Sequence, residues 1–273
     1  MATEKIILPE VQVVSTNNNQ VDFSIEPLSP GYGVTLGNSL RRVLLSSLEG
    51  SAVYAVKIAG TTHEFTTLPG VKEDFIALIL NIKSIDVTLE SDSEAVIKLN
   101  AKGLGVVKAK DLKVPAGCKI TNPELEIAHL DRKGKLNMEI HVNRGMGYVP
   151  VEKRDEKKYP LEMILVDSTY TPVEKVNFRV EDMRVGQATD YNRLILEIAT
   201  NGTITSQIAL KKASAILSSQ FDTISSLMQE EKPKASKIAK TTKTKVDKKS
   251  AKKKTVAKAT KSKTNRSKTK AKK

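Results

Sequence analysis

The glycine-rich segment Gly31-Tyr-Gly-Val-Thr-Leu-Gly37 has a composition that could cradle a phosphate group. Glycines in such loops let backbone N–H groups approach an anion closely. The spacing fits neither the dinucleotide-binding pattern nor the Walker pattern, and no Lys-Ser/Thr pair follows it. We therefore interpret these glycines as turn and close-packing positions.

The other reactive side chains form no recognisable catalytic pattern. Nucleotidyl transfer needs clustered carboxylates that hold Mg²⁺, whereas the acids here are scattered or lie in turn sequences, as Asp92 and Glu94 do. The three histidines are far apart in the sequence, and no nucleophile-elbow sequence is present. We expect no catalytic residue, no metal site and no cofactor, so the chemistry must be noncovalent recognition.

The helix predicted after Pro30 offers such recognition. A 3.6-residue period gives it an apolar arc of Leu36, Leu40, Val43, Leu44 and Leu48. Asn38, Arg42 and Leu45 share the far side, where the arginine offers a planar fork of donors suited to an interface. Gly37 costs about 1 kcal/mol against alanine, which predicts a close approach by another backbone or helix. On these residues alone, an ordinary amphipathic helix with solvated arginines remains the alternative.

Charge is distributed unevenly along the chain. The 273 residues carry a net charge of +14, but residues 232–273 contain 18 Lys and one Arg against one Asp, which leaves −4 on residues 1–231. The tail has almost no apolar residues and is predicted to be disordered. We expect it to bind DNA phosphates nonspecifically, with a solubility extension as the alternative; its densest lysines are Lys248, Lys249, Lys252, Lys253 and Lys254.

The sequence favours a cytoplasmic protein. The longest apolar run, residues 75–80, is too short to cross a bilayer, and the amino terminus lacks the regions of a signal peptide. The single Cys118 cannot form an internal disulfide, which suits a reducing compartment.

The spacing of apolar residues along the chain predicts the helices and strands that must position these residues. Alternation predicts a hairpin from residues 11–15 and 21–25 before the first helix. Beyond Gly50 it predicts many short strands, interrupted by one helix over 71–82 that begins after Pro69-Gly70. Further strands are predicted at 163–166, 175–180 and 193–199. The fold class is α+β with a mainly antiparallel β module.

A last helix is predicted from a cap at Thr205 to about residue 228, with an apolar stripe over more than five turns. This stripe could pack on the chain's own sheet, or it could meet the same helix in a second copy and form a twofold homodimer. The residues alone favour neither of these two alternatives over the other.

Six segments, taken in order, resemble the alpha subunit of bacterial-type RNA polymerase. The first is the helix containing Thr35-Leu-Gly-Asn-Ser-Leu-Arg-Arg42, and the others are His63-Glu-Phe-Thr-Thr-Leu-Pro-Gly-Val-Lys-Glu-Asp74, Leu80-Asn-Ile-Lys83, Asn143-Arg-Gly-Met-Gly-Tyr-Val-Pro150, Leu165-Val-Asp-Ser-Thr-Tyr-Thr-Pro-Val173 and Asp190-Tyr-Asn-Arg-Leu-Ile-Leu-Glu-Ile-Ala-Thr-Asn-Gly-Thr-Ile204. The resemblance covers residues from about 5 to 230. It implies a discontinuous α/β dimerisation domain (1–49 and 173–231), an inserted β-rich domain (50–172) and, as a departure from the family, a basic tail (232–273) in place of the usual carboxyl-terminal domain.

The resemblance also implies partners: a second copy, the beta and beta-prime subunits, and omega and sigma within the holoenzyme of a bacterium or plastid. The implied beta contacts are Asn38, Arg42, Leu45, Ser46, Glu64, Gly70, Val71, Glu73, Asp74 and Lys83. The implied beta-prime contacts are Val166 and Asp167. The implied dimer interface is Leu36, Gly37, Leu40, Leu44, Ala213, Ile216, Leu217, Phe221, Ile224 and Leu227.

The resemblance thus implies a noncatalytic subunit of DNA-directed RNA polymerase: a homodimeric scaffold that assembles the beta and beta-prime catalytic subunits for transcription. Two rival functions are weighed against this scaffold. A free-standing nucleic-acid compacting protein would use the tail, but the acidic body argues against it because such proteins usually spread basic charge over the folded part. An independent enzyme has no candidate site in the sequence.

Overall fold

The chain, seen in a computed structural model, is described over residues 8–17, 19–61, 66–155, 159–160 and 162–230. These ranges contain three α-helices and fourteen strands. The helices are α1 Tyr32–Ser46, α2 Phe75–Lys83 and α3 Ser206–Glu230. The strands are β1 Glu10–Asn17, β2 Gln20–Leu28, β3 Glu49–Ile58, β4 Val87–Leu89, β5 Ala95–Lys102, β6 Gly105–Lys108, β7 Cys118–Ile120, β8 Glu126–Leu130, β9 Lys135–Met146, β10 Tyr148–Val149, β11 Ile164–Leu165, β12 Ser168–Thr169, β13 Val173–Val185 and β14 Ala188–Thr200.

The strands form two four-stranded sheets and three two-stranded ones within the described ranges. The first large sheet has the order β1-β2-β14-β13, and the second has the order β11-β3-β9-β5. Every strand pair within these sheets is antiparallel. The α+β class with mainly antiparallel sheets is therefore confirmed, and so is the opening hairpin, in which Val13 lies opposite Phe23.

Two hydrophobic clusters hold these sheets. The first cluster joins α1 and the start of α3 to the sheet β1-β2-β14-β13, and Leu44, Leu194 and Ala213 are fully buried in it. The second cluster packs α2 on the sheet β11-β3-β9-β5, with Leu78 and Ile140 fully buried. The chain leaves the first cluster after Leu48 and returns to it at Val173, so the second is an insertion.

Helix α2 begins later than the predicted residue 71. Gly70 has a left-handed φ of 79°, and Val71 forms an isolated bridge with Leu130. The helix starts at Phe75 because Asp74 caps it: the Asp74 carboxylate accepts a hydrogen bond from Ala77 N at 2.7 Å. The helix prediction was correct in kind but wrong by four residues at its start.

Candidate functional site: exposed faces of three helices

One face of α1 is free of the sheet. Asn38, Arg42 and Ser46 are exposed, and Leu45 keeps 37% of its surface accessible. The Ser46 hydroxyl donates to the Arg42 carbonyl at 2.7 Å, so it satisfies the helix's own backbone. No carboxylate among the described residues pairs with the Arg42 guanidinium, which leaves its full set of donors in solvent.

The opposite face of α1 is seated tightly on strand β13. A side chain at Gly37 would place its Cβ 2.5 Å from the ring of Phe178, and one at Gly33 would lie 2.7 Å from Val180. A close approach at Gly37 is therefore present, but the predicted neighbour, another backbone or helix, is wrong: the approaching group is the aromatic side chain of Phe178 on β13. Leu40 and Leu44 are buried beside it and Leu36 is half-buried. These contacts fix the position of α1 on the sheet and the direction in which its exposed face, which carries Arg42, points.

The segment before α2 carries a second group of predicted contacts. Gly70 packs against Gly134, where a side chain would come within 2.6 Å of the Gly134 Cα. Val71 is half-buried against the second cluster, whereas the Asp74 side chain caps α2 at the surface. These contacts hold the segment at the edge of the inserted cluster.

Both carboxylate oxygens of Glu73 contact a residue of the same chain, His129. Its Oε2 accepts a hydrogen bond from His129 N at 2.8 Å, and its Oε1 lies 2.5 Å from His129 Nδ1. Burial acts to raise the pKa of Glu73, but the hydrogen bonds from His129 outweigh it, so the pKa lies below its ordinary value. Glu73 therefore anchors the segment before α2 to β8.

We expect this anchor to weaken in acid. A carboxyl whose pKa is lowered by folding adds stability above its unfolded pKa, and that stability is lost as the pH falls through the folded pKa. Glu73→Gln should lower the free energy of unfolding by about 1–2 kcal/mol at pH 7 and by less at pH 3. Urea unfolding measures this, with the exposed Glu90→Gln as the matched control; an equal loss at both pH values would contradict the assignment.

Asp167 connects the two predicted docking regions. Its Oδ1 accepts a hydrogen bond from Val151 N at 3.0 Å, and its Oδ2 lies 3.6 Å from Lys83 Nζ at the end of α2. The Val151 N–H lowers the pKa of Asp167 most; partial burial opposes this, and Tyr148 and Lys83 lower the pKa further. Its neighbour Val166 is 6% exposed and belongs to the core. A predicted beta contact and a predicted beta-prime contact thus share one surface.

Helix α3 divides its apolar stripe between two environments. Thr205 caps the helix as predicted, because its hydroxyl accepts a hydrogen bond from Ile208 N at 3.3 Å. Ala209 and Ala213 are fully buried in the first cluster, and Ile216 and Leu217 are half-buried. In the last turns Phe221, Ile224 and Leu227 are 64%, 54% and 60% exposed. The stripe therefore packs on its own sheet at the start and lies uncovered at the end.

An apolar ridge on α2 was not predicted from the sequence. Ile76 and Leu80 are 51% and 57% exposed, although the buried stripe of the same helix lies at Phe75, Leu78 and Ile82. The four-residue spacing of Ile76 and Leu80 could have revealed the ridge, because it places both on one side of the helix, off the buried stripe. The ridge lies on the same helix as Lys83.

Glu64, Lys248, Lys249, Lys252, Lys253 and Lys254 lie outside the described residues. Within the described ranges, no three His, Cys, Asp or Glu side chains are grouped so that they could hold a metal ion. None of the described helices has the length and apolar character needed to span a membrane.

Comparisons with known proteins agree with this architecture. Residues 56–171 match the family described as RNA polymerase Rpb3/RpoA insert domain. The DNA-directed RNA polymerase subunit alpha of Carboxydothermus hydrogenoformans is 48% identical over 209 residues, which cover 77% of this chain and 67% of the relative. The same subunit of Clostridium perfringens is 49% identical over 215 residues (78% and 68%), and that of Alkaliphilus oremlandii is 40% identical over 251 residues (88% and 79%). This chain belongs to the family of DNA-directed RNA polymerase alpha subunits.

Proposed function

We propose that this chain is a noncatalytic scaffold: a homodimer on which the beta and beta-prime subunits of RNA polymerase assemble. The observation that carries the proposal is the exposed face of α1, where Arg42 has no partner among the described residues while the reverse face is locked to β13. Because the reverse face fixes α1 on the sheet, Arg42 is presented to solvent from a fixed backbone position. It is well suited to bidentate contacts with another protein.

The proposed beta-binding surface has two parts. The first is the exposed face of α1 with Asn38, Arg42, Leu45 and Ser46. The second is the start and outer side of α2, with Gly70, Val71, Glu73, Asp74 and Lys83. Burial divides the roles in the second part: Glu73 and Val71 shape the surface, whereas the apolar ridge of Ile76 and Leu80 is exposed to a partner. Asp74 and Lys83 lie beside the ridge, where Asp74 also caps α2 and Lys83 also pairs with Asp167.

The proposed beta-prime contact centres on Asp167. Val166 is buried and supports it from beneath. Because Asp167 already accepts hydrogen bonds from Val151 N and from Tyr148, its carboxylate is held in one orientation. Such preorganisation reduces the entropy lost when a partner binds.

The proposed dimer interface uses the free end of α3. Phe221, Ile224 and Leu227 supply new buried surface, and Ile216 and Leu217 extend it. Leu36 is half-buried, while Gly37, Leu40, Leu44 and Ala213 are buried within one chain and support the interface from below. A patch of large apolar side chains on a surface helix marks a protein interface.

The domain division is proposed on the same basis. Residues 1–49 and 173–231 would form the dimerisation domain, and residues 50–172 the inserted domain. The two hydrophobic clusters support this division, because the second contains buried residues from Val53 to Val166 only. Residues 232–273 would form the basic tail, which is proposed to contact DNA in the bacterial or plastid compartment where the polymerase works.

Copurification tests the proposed scaffold directly. The tagged full-length chain, expressed in its own cells, should recover two very large partners, with two copies of this chain in each complex; omega and sigma should accompany them. Recovery of nucleic acid without large partners would instead support a free-standing nucleic-acid compacting protein. Identification of the partners by mass spectrometry and of the stoichiometry by native mass decides between the two.

Deleting residues 232–273 should weaken binding of the assembled polymerase to DNA at low salt and leave the dimer intact. The tail carries 18 Lys and one Arg against one Asp, and cations that neutralise phosphates release counterions. The difference between full-length and shortened polymerase should shrink as salt rises, because counterion release then contributes less. A filter-binding titration over several salt concentrations measures it, and unchanged DNA affinity at low salt would contradict the proposed role.

A further inference from the structure

The chain passes between the two hydrophobic clusters at two adjacent points. The outgoing strand crosses at Gly50 and the returning chain crosses at Tyr170, where a side chain at Gly50 would collide with the Tyr170 carbonyl oxygen. The helices and strands of each cluster pack mainly with members of the same cluster. The two crossings lie side by side, so contacts elsewhere between the clusters help to set the angle between them.

A separate polar contact joins the clusters. Asp86, between α2 and β4, accepts a hydrogen bond from Asn201 Nδ2 at 2.9 Å on Oδ1 and from Asn122 Nδ2 at 2.9 Å on Oδ2. Asn201 follows β14 and precedes α3. The contact therefore connects the end of the inserted cluster's helix to the start of the helix that carries the proposed dimer interface.

Every polar atom in this contact has a fixed role. The Asn201 Oδ1 accepts hydrogen bonds from Thr203 N at 3.1 Å and from Thr203 Oγ1 at 2.6 Å, so only its amide nitrogen can face Asp86. The Asn122 Oδ1 accepts from Asp86 N at 3.0 Å, which fixes that amide as well. Gly202 packs closely beside this contact, because a side chain there would lie 2.9 Å from the methyl group of Thr121.

We propose that Asp86, Asn122 and Asn201 form a strut that fixes the angle between the inserted cluster and the first cluster. Asp86 and Asn201 are then positioning residues. They contact no partner, but they set where the α2 surface lies relative to α1 and α3. The consequence for assembly rests on the proposed function, since one beta subunit can engage α1 and α2 together only if their separation is fixed.

The variant Asn201→Asp isolates this role. It retains the Oδ1 acceptor for Thr203 but sets a second carboxylate against Asp86, so like charges replace a hydrogen bond. The double variant Asp86→Asn with Asn201→Asp reverses donor and acceptor and restores the contact, because the amide introduced at position 86 can donate to position 201 and still accept from Asn122. Comparing the single and the double variant distinguishes loss of the strut, which the double variant restores, from unfolding of the chain.

Spin-label measurements on the dimer give the distribution of distances between two labels in one chain, which widens when the angle between the clusters varies. Cysteines that carry the labels replace the exposed Lys133, between β8 and β9, and Gln187, between β13 and β14, in a Cys118→Ala background. Labelled chains are diluted with unlabelled chains so that only distances within one chain are recorded. The parent and the double variant should give a narrow distribution, and Asn201→Asp should broaden it at least about twofold. An equally narrow distribution for Asn201→Asp would overturn the strut.

Capture of the large subunits tests the consequence for assembly separately. Asn201→Asp should reduce recovery of the beta-like partner about fivefold or more, and the double variant should restore it, with the dimer unchanged in each. Undiminished recovery by Asn201→Asp would overturn the positioning role. If the parent chain itself recovers no large partner, the proposed function fails, while the distance measurement still decides the strut.

Discussion

Replacing Arg42 with alanine is expected to abolish recovery of the beta-like partner without unfolding the dimer. Truncating an arginine at the centre of an interface typically costs 2 kcal/mol or more, which is roughly 30-fold in the dissociation constant. The free chain should lose nothing comparable, because the Arg42 side chain is exposed and has no ion-pair partner among the described residues. Capture from lysate, followed by quantification of the large partner, gives the result.

The neighbouring Arg41 supplies the matched control. It is also exposed but lies about 100° away around the helix. Arg41→Ala removes the same charge from the chain, so a general electrostatic effect would weaken both variants alike. Arg42→Lys tests geometry, since a lysine retains the charge without the planar fork. Full assembly with Arg42→Ala, at unchanged thermal stability, would show that the central residue assignment is wrong.

Placing a charge on the free end of α3 is expected to convert the dimer to monomers. Ile224 is 54% exposed in the single chain, and burying such a side chain contributes about 1.5–3 kcal/mol. Twofold symmetry applies the change twice, so Ile224→Asp should raise the dissociation constant by at least about 100-fold. Light scattering coupled to gel filtration reads the mass directly at micromolar concentration.

The nearby Ser226 tests whether the effect depends on the apolar stripe. Its hydroxyl donates to the Thr223 carbonyl at 2.8 Å, and the residue lies nearly opposite Ile224 around the helix. Ser226→Asp introduces an equal charge and should leave the dimer intact. Dissociation by both variants would point to loss of the helix, whereas a dimeric Ile224→Asp would exclude this face as the interface.

Short-range patterns predicted most elements, and pairing over long sequence distances accounts for what they missed. The arc of α1 and the stripe of α3 were predicted because each repeats with a helical period over several turns. Strands β7, β10 and β12 have only two or three residues, so they carry no measurable alternation. Their existence depends on partners far along the chain, as when Tyr148 pairs with Thr169.

In the candidate site, too, contacts between residues far apart in the sequence could not be predicted. The exposed face of α1 follows from spacing within one helix, and the structure places Asn38, Arg42 and Leu45 on it as predicted. The sequence could not show that Glu73 is held by His129, because the two lie 56 residues apart. Nor could it show which half of the α3 stripe is covered, since buried and exposed turns have the same apolar period.

The paired crossings at Gly50 and Tyr170 bring together the two ends of the segment that carries the inserted cluster. Because its first and last residues lie against each other, the gap left by excising it could be closed by a short turn without stretching the remaining chain. The first cluster retains its own sheet, α1 and α3 across such a cut. The same geometry would let one inserted cluster be exchanged for another of different size between members of the family, because only the spacing of the two ends must be preserved.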